Sequence, residues 1–297
     1  MLGALLAIAS AATFGFNTAV VRRSMLRANP YVLIIVSITG ATPVFALLAW
    51  LTGQWGRAGE LGMRGYVLLA LAGALNFLGG RYSNFRAIKS MGANLTAPVR
   101  TLSVLFGVLL GVFALNEHVG LARGLGIALL VAAPLVAFSQ PRAMKREFAS
   151  GSALKLAEGL LFGLIAAVSY AGATYLLRYV LAGTGLSLLG ATVAHAGAGV
   201  LLVASLAFRR NRDGLRALDA TAWRLFGVIT STMVLAQVFR FSAVETAPIT
   251  VVSPLIETMG FFGVGFAWML NRGHESFSPL VLVGIVLAVA GAAAITL

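Results

Sequence analysis

Of the 297 residues, 59% are hydrophobic and 10% charged, with a mean hydropathy of +0.93, far from the balance of a soluble domain, so the chain is an integral membrane protein with little left over for a water-soluble domain. The net charge of +13 is spread over the ends of apolar runs, which excludes the clustered basic face of a nucleic-acid binder and fits the cationic flanks of membrane spans. The absence of cysteine excludes disulfides, thiolate nucleophiles and cysteine metal sites.

A bilayer core of about 30 Å takes about 20 apolar residues per helix. Apolar runs cut by glycine, proline and charge predict ten spans: 2–21, 30–52, 65–85, 92–115, 119–139, 157–181, 185–208, 222–244, 247–270 and 277–296. The first, "MLGALLAIASAATFGFN", lacks a basic leader region and reads as a span, not as a cleaved signal. "RRSMLRANP", "GQWGRAGELGMRG", "NEHVG", "QPRAMKREFASGSALKL", "RRNRDGLRALDATAWR" and "NRGHESFSP" supply the main breaks. The links near 86–91 and 244–247 are short and partly apolar, so their ends are the least defined.

Self-comparison reveals a duplication. At an offset of 156, Phe85, Ala87, Pro98, Phe106, Gly107 and Val108 meet the identical Phe241, Ala243, Pro254, Phe262, Gly263 and Val264, and Thr18 and Arg22 meet Thr174 and Arg178. At 158, Glu117, Gly126, Ile127, Val131 and Ala132 meet Glu275, Gly284, Ile285, Val289 and Ala290. The chain therefore divides into a first repeat at 1–140, a linker at 141–156 and a second repeat at 157–297. An odd number of spans per repeat sends the second in from the opposite face, so the fold class is all-α, ten transmembrane helices in two inverted five-helix repeats. Lysine and arginine favour the loops after odd-numbered spans: the loop after span 2 has two, Arg57 and Arg64, and its counterpart after span 7 has five, Arg209, Arg210, Arg212, Arg216 and Arg224. The positive-inside rule then puts the odd loops in the cytoplasm and both termini outside.

The duplicated motifs "NFRAIKSMGANLTAPV" and "RFSAVETAPITVVSPL", "LFGVLLGVFALNEHV" and "FFGVGFAWMLNRGHES", and "GIALLVAAPLVAF" and "GIVLAVAGAAAI" resemble the drug/metabolite transporter superfamily, specifically its ten-helix EamA-type members. The resemblance covers essentially the whole chain. It implies a secondary carrier working by alternating access in the bacterial inner membrane, most similar to exporters of aromatic and other neutral amino acids. The arginine in "APVRTLS" departs from that pattern.

Prolines at Pro98 and Pro254 each remove a helix donor and free the carbonyls of Asn94 and Thr250, which makes them candidate gate hinges or packing kinks. Arg100 and Glu257 fall near mid-bilayer, where a lone charge costs at least about 2.5–3.5 kcal/mol and faces the bundle interior. Two readings stay open: they address the carboxylate and ammonium of a zwitterionic substrate, or they pair with each other. His195 is a candidate proton-coupling group or a neutral interhelical hydrogen bonder. Asn17, Asn76 and Gln237 are candidate polar contacts to substrate or ordinary helix–helix hydrogen bonds. Phe14, Phe16, Tyr82, Tyr170, Tyr175 and Phe239 are candidates for an aromatic wall, with lipid-facing positions as the alternative. Arg81 and Arg240 read as snorkelling at span ends, and Glu117 and Glu275 as anions at the N-termini of spans 5 and 10. No hydrolase or metalloenzyme motif occurs, so the chain reads as a non-enzyme without cofactor or metal. Its partners are a small-molecule substrate and the bilayer, with two fused halves making a monomer self-sufficient. A small-zwitterion carrier is the leading function; a drug or organic-cation exporter of the same fold is the alternative, and a channel the weaker one.

Overall fold

The computed structural model describes residues 1–24, 30–91, 93–138, 153–216, 218–270 and 279–296. In chain order the helices are α1 (Leu2–Ser24), α2 (Pro30–Leu51), α3 (Gly62–Ala74), α4 (Ser83–Met91), α5 (Ala93–Leu115), α6 (Leu121–Phe138), α7 (Ala153–Leu181), α8 (Ser187–Ala204), α9 (Arg209–Arg216), α10 (Ala220–Thr246), α11 (Ile249–Glu257), α12 (Met259–Leu270) and α13 (Pro279–Thr296). No strand occurs among the described residues. Seven helical stretches are long and apolar enough to cross a bilayer, and shorter apolar helices at Val99–Leu115, Leu121–Ala137 and Leu282–Thr296 complete the ten spans. Helices make their backbone hydrogen bonds within the segment, which is the arrangement that lipid tolerates.

Three boundaries differ from the sequence reading. The third span does not end at 85: α3 runs through a π-helical stretch, Leu75–Tyr82, directly into α4. The polar "SNFRAIKSM" looks like a loop in composition, yet it has an apolar face, with Ala87 and Met91 buried. Residues 153–156, expected at the end of the linker, already belong to α7. The basic stretch after span 7 forms the short helix α9, RRNRDGLR. A 3-10 turn, Gln54–Leu61, precedes α3.

Packing follows the duplication. α1 lies against α10, α11 and α12, as its counterpart α7 lies against the α3–α4 stretch and α5. α2 meets its counterpart α8, and α6 meets its counterpart α13. Each repeat thus threads its first helix among the later spans of the other, the relation expected of two modules inverted about an axis in the membrane plane. Close approach depends on small residues: a Cβ added at Gly73 of α3 would sit 1.8 Å from the Ala194 carbonyl oxygen of α8. The centre buries Phe45, Phe77 and Phe241, while Leu5, Val67, Leu109, Val200 and Val286 stand exposed on the outside as a lipid-facing coat.

Candidate functional site

Arg100 lies seven residues into α5 and Glu257 is the last residue of α11. Those helices start from opposite faces, so climbs of about 10 Å and about 12 Å at 1.5 Å per residue bring the two side chains to similar depth. They meet: Arg100 Nη2 is 3.1 Å from Glu257 Oε2, with the side chains 22% and 14% accessible. Ser103 Oγ donates to Glu257 Oε1 at 3.3 Å. Of the two readings open at the level of sequence, mutual pairing is the arrangement seen, and it joins the two repeats. An ion pair is one of the arrangements that an intramembrane charge requires.

Immediately after Glu257 the ninth span breaks. Thr258 N bonds the Leu255 carbonyl at 3.2 Å, its Oγ1 donates to the same carbonyl at 2.6 Å, and α12 restarts at Met259. The interruption lies one turn beyond Pro254, whereas α5 runs unbroken from Ala93 to Leu115 through position 98. Interrupted spans at mid-depth are where carriers of inverted-repeat type bind their cargo.

The π-helical stretch contributes a second group. Pairing of i with i+5 brings residues five apart onto one face, here Asn76 and Arg81. Asn76 Oδ1 accepts from Arg240 Nη1 at 3.0 Å, and Thr174 Oγ1 accepts from Arg240 Nη2 at 2.9 Å. Arg240 is buried, 7% exposed. Arg81 reaches Met233 Sδ at 3.4 Å and lies over the Phe77 ring at 5.8 Å. Neither arginine snorkels: continuation of the third span to Met91 moves Arg81 into the helix interior, and Arg240 points across to α7 and the π-helical stretch. Gly80 leaves room for the Tyr170 ring, whose Cε1 a Cβ there would approach to 2.5 Å. Tyr170 of α7 thus packs on the π-helical stretch that carries Asn76 and Arg81.

The remaining sequence candidates lie as follows. Asn17 donates to the Ile229 carbonyl at 2.7 Å and to Thr232 Oγ1 at 2.6 Å, tying α1 to α10. His195 is fully buried; Nδ1 is 2.7 Å from the Ala191 carbonyl and the ring is enclosed by Phe45, Phe77 and Phe241. Gln237 is 1% exposed and its Oε1 has no hydrogen-bond partner among the described residues. Phe14 packs against the core, Tyr82 meets Tyr31 of α2 edge-on, Phe16 meets Phe266, and Tyr175 meets Tyr179.

At the face carrying Met1 and the loops after even-numbered spans, a third group ties the repeats together. Glu117 does not serve its own following helix. Its Oε1 and Oε2 accept from Ile249 N at 2.8 Å and Thr250 N at 2.9 Å, capping α11 of the other repeat. Asn116, with φ 54, makes the left-handed turn that aims it, a conformation asparagine tolerates. Arg178 Nε lies 4.0 Å from Glu117 Oε1, and its Nη1 donates to the carbonyls of Val244 and Glu245 at the end of α10 at 2.9 and 2.7 Å. Arg57 extends the seal by donating to the Thr184 carbonyl at 2.8 Å. The corresponding acid, Glu275, lies outside the described residues.

A model of the EamA-like transporter family matches residues 1–139 and 157–297. An uncharacterized transporter in the cobO 3′ region of a Sinorhizobium species is 34% identical over 94 residues, 31% of this chain. The chain spans 65% of that relative's length. A crystal structure of a protein superposes with a TM-score of 0.74 at 15% identity, over 99% of this chain and 96% of the other, a likeness of fold.

Proposed function

The chain belongs to the EamA-like transporter family, and from that premise we propose that it is a secondary carrier exporting small zwitterionic metabolites, neutral and aromatic amino acids foremost, by alternating access. The observation that carries this reading is the partly accessible Arg100–Glu257 pair bridging the two repeats at mid-depth. Glu257 there matches an α-ammonium, the arginines of the bundle centre match an α-carboxylate, and the pair sits beside the break in the ninth span. The Tyr170 ring supplies a π-face next to the charges, suited to an apolar or aromatic side chain.

Alternating access is supported by the inverted packing and by the distribution of contacts. The seal of Glu117, Arg178 and Arg57 joins the repeats at one face and can be exchanged for an equivalent closure at the other when the modules rock about the fixed site. Lysine and arginine placement supports odd loops in the cytoplasm of a bacterial inner-membrane protein, with both termini outside. The cationic surplus of the site argues against organic cations as cargo.

The test is a competition panel in proteoliposomes of the purified full chain. Phenylalanine, leucine and alanine are expected to compete for saturable, counter-exchanging flux, with tetraphenylphosphonium inert. Flux carried by the organic cation and indifferent to all amino acids would overturn the proposal; single-channel currents would replace a carrier with a pore.

A further inference from the structure

Arg240 of α10 is buried inside the bundle, yet its hydrogen bonds end on neutral acceptors, Asn76 and Thr174, and Arg81, on the same π-helical stretch as Asn76, contacts the Met233 thioether of α10 and an aromatic ring. The carboxylates that form ion pairs among the described residues serve other arginines: Glu60 with Arg57, Glu158 with Arg86, Glu257 with Arg100 and Glu117 with Arg178. Among the described residues, the centre therefore holds three guanidiniums against one carboxylate. Uncompensated charge in such a place is costly and is retained for a function.

The fold does not require these charges. At the repeat offset of 156, Arg81 and Arg240 correspond to Gln237 and Asn84, and Arg100 and Glu257 to Ile256 and Thr101. The same architecture is thus built once with charges and once without. Three features fix the two arginines with donors to spare: π-helical pairing puts Arg81 on the face of Asn76, Thr174 and Asn76 hold the Arg240 fork, and five N–H donors per guanidinium leave donors over once two are used.

We propose that Arg81 and Arg240, steadied by Asn76 and Thr174 and flanked by the Tyr170 phenol, form the subsite that takes the substrate's carboxylate. Arg100 is a positioning residue that holds Glu257 for the ammonium. The inference rests on the zwitterion reading for its cargo but makes a narrower demand: the carboxylate is indispensable for binding and the amine is not, because a carboxylate neutralises a site that is cationic when empty.

Thermal stabilisation of the purified full chain in detergent tests this with three matched probes: L-phenylalanine, 3-phenylpropionate, which lacks the amine, and phenethylamine, which lacks the carboxylate. Both carboxylates are expected to stabilise the wild type. Arg240→Gln and Arg81→Gln are each expected to weaken 3-phenylpropionate by roughly tenfold or more, as loss of a charge-assisted bond implies, whereas Glu257→Gln weakens phenylalanine and spares 3-phenylpropionate. Asn76→Asp gives Arg240 an internal counter-ion, so it is expected to melt no lower than the wild type while losing affinity for both carboxylates, which keeps the test decisive where Arg240→Gln does not fold. Equal 3-phenylpropionate affinity in the wild type and Asn76→Asp would overturn the subsite and leave the zwitterion reading intact. Stabilisation by phenethylamine alone would overturn both. A wild type indifferent to both carboxylates would overturn the subsite whatever the flux panel shows.

Discussion

Removing the Glu117 carboxylate probes the proposed alternating access directly, because it caps α11 across the repeats and is the acid of the group it forms with Arg178 and Arg57. Its side chain is 9% accessible, and it accepts two backbone N–H bonds at 2.8 and 2.9 Å from α11. A hydrogen bond to a charged partner contributes about 1.5–3 kcal/mol, and its loss leaves a donor unsatisfied. Interaction of the carboxylate with the helix N-terminus adds about 0.3–1 kcal/mol. Allowing for overlap between these terms, Glu117→Ala removes about 3 kcal/mol from the arrangement in which this face is shut. If opening already separates Glu117 from α11, the whole loss falls on the closed state and shifts the equilibrium about 150-fold toward opening. Glu117→Gln keeps a carbonyl acceptor and is expected to shift it about tenfold. The chain has no cysteine, so a single reporter cysteine reacts against no background. Gly260 of α12, where an added Cβ meets nothing within 4 Å, is a suitable place for one. A membrane-impermeant maleimide applied at the Met1 face is expected to label Gly260→Cys much faster in the Glu117→Ala background than in the parent. Equal labelling in the two backgrounds, with both proteins folded, would refute the argument that this contact is a gate.

Other consequences follow from the same contacts. Arg100→Ala or Glu257→Ala strands a mid-bilayer charge at a cost of at least about 2.5–3.5 kcal/mol, so each is expected to lower the melting temperature, and the Arg100→Ala/Glu257→Ala double variant is expected to recover stability but not amino-acid flux; recovered flux would reduce the pair to a structural strut. His195→Gln is expected to leave the pH profile of flux between about pH 5.5 and 8 unchanged, since the buried ring bonds Ala191 through Nδ1 and is enclosed by phenylalanines; a shifted profile would make it a coupling group. Gly73→Val, forcing atoms against the Ala194 carbonyl that a Cβ would already approach to 1.8 Å, is expected to cost about 3 kcal/mol or more, beyond ordinary overpacking, and to abolish a monodisperse peak in detergent chromatography. Single cysteines at Gly59 and Asp213, in corresponding loops of the two repeats, are expected to label from opposite sides of the membrane; labelling from one side would overturn the inversion.

The spans were legible because a bilayer imposes one length and one solvent on each helix, and punctuation such as "QPRAMKREF" and "NEHVG" has no other place to go. Inversion was legible by parity, from an odd number of spans per repeat. The third span was misjudged at its end for an identifiable reason: "NFRAIKSM" hides its apolar positions among cations, and composition reads such a stretch as a loop. That end matters for the site: composition places Arg81 near a span edge, and the helix that continues to Met91 puts it ten residues inside. The double glycine of "NFLGGRY", beside an asparagine and an arginine, was a signal in the sequence that pointed to irregular helix and close approach. The Glu117 cap joins residues 132 and 133 positions apart, and no local pattern distinguishes it from a cap on the next helix.

What the two repeats share and what they do not share divides architecture from chemistry. Pro98 and Pro254, Phe106 and Phe262, and Gly107 and Gly263 occur in both modules and belong to spans whose packing is reproduced on each side of the pseudo-axis. The four central charges occur in one copy each, with glutamine, asparagine, isoleucine and threonine at the corresponding places. A symmetric frame can face either side of the membrane at similar cost, which is what rocking needs. A substrate with two unlike ends needs the opposite, a site whose halves differ. Arg100 and Glu257 meet the second demand without disturbing the first because they neutralise each other across the repeat boundary. Arg81 and Arg240 do not neutralise anything, and that surplus is the strongest reason to expect the cargo to bring a negative charge.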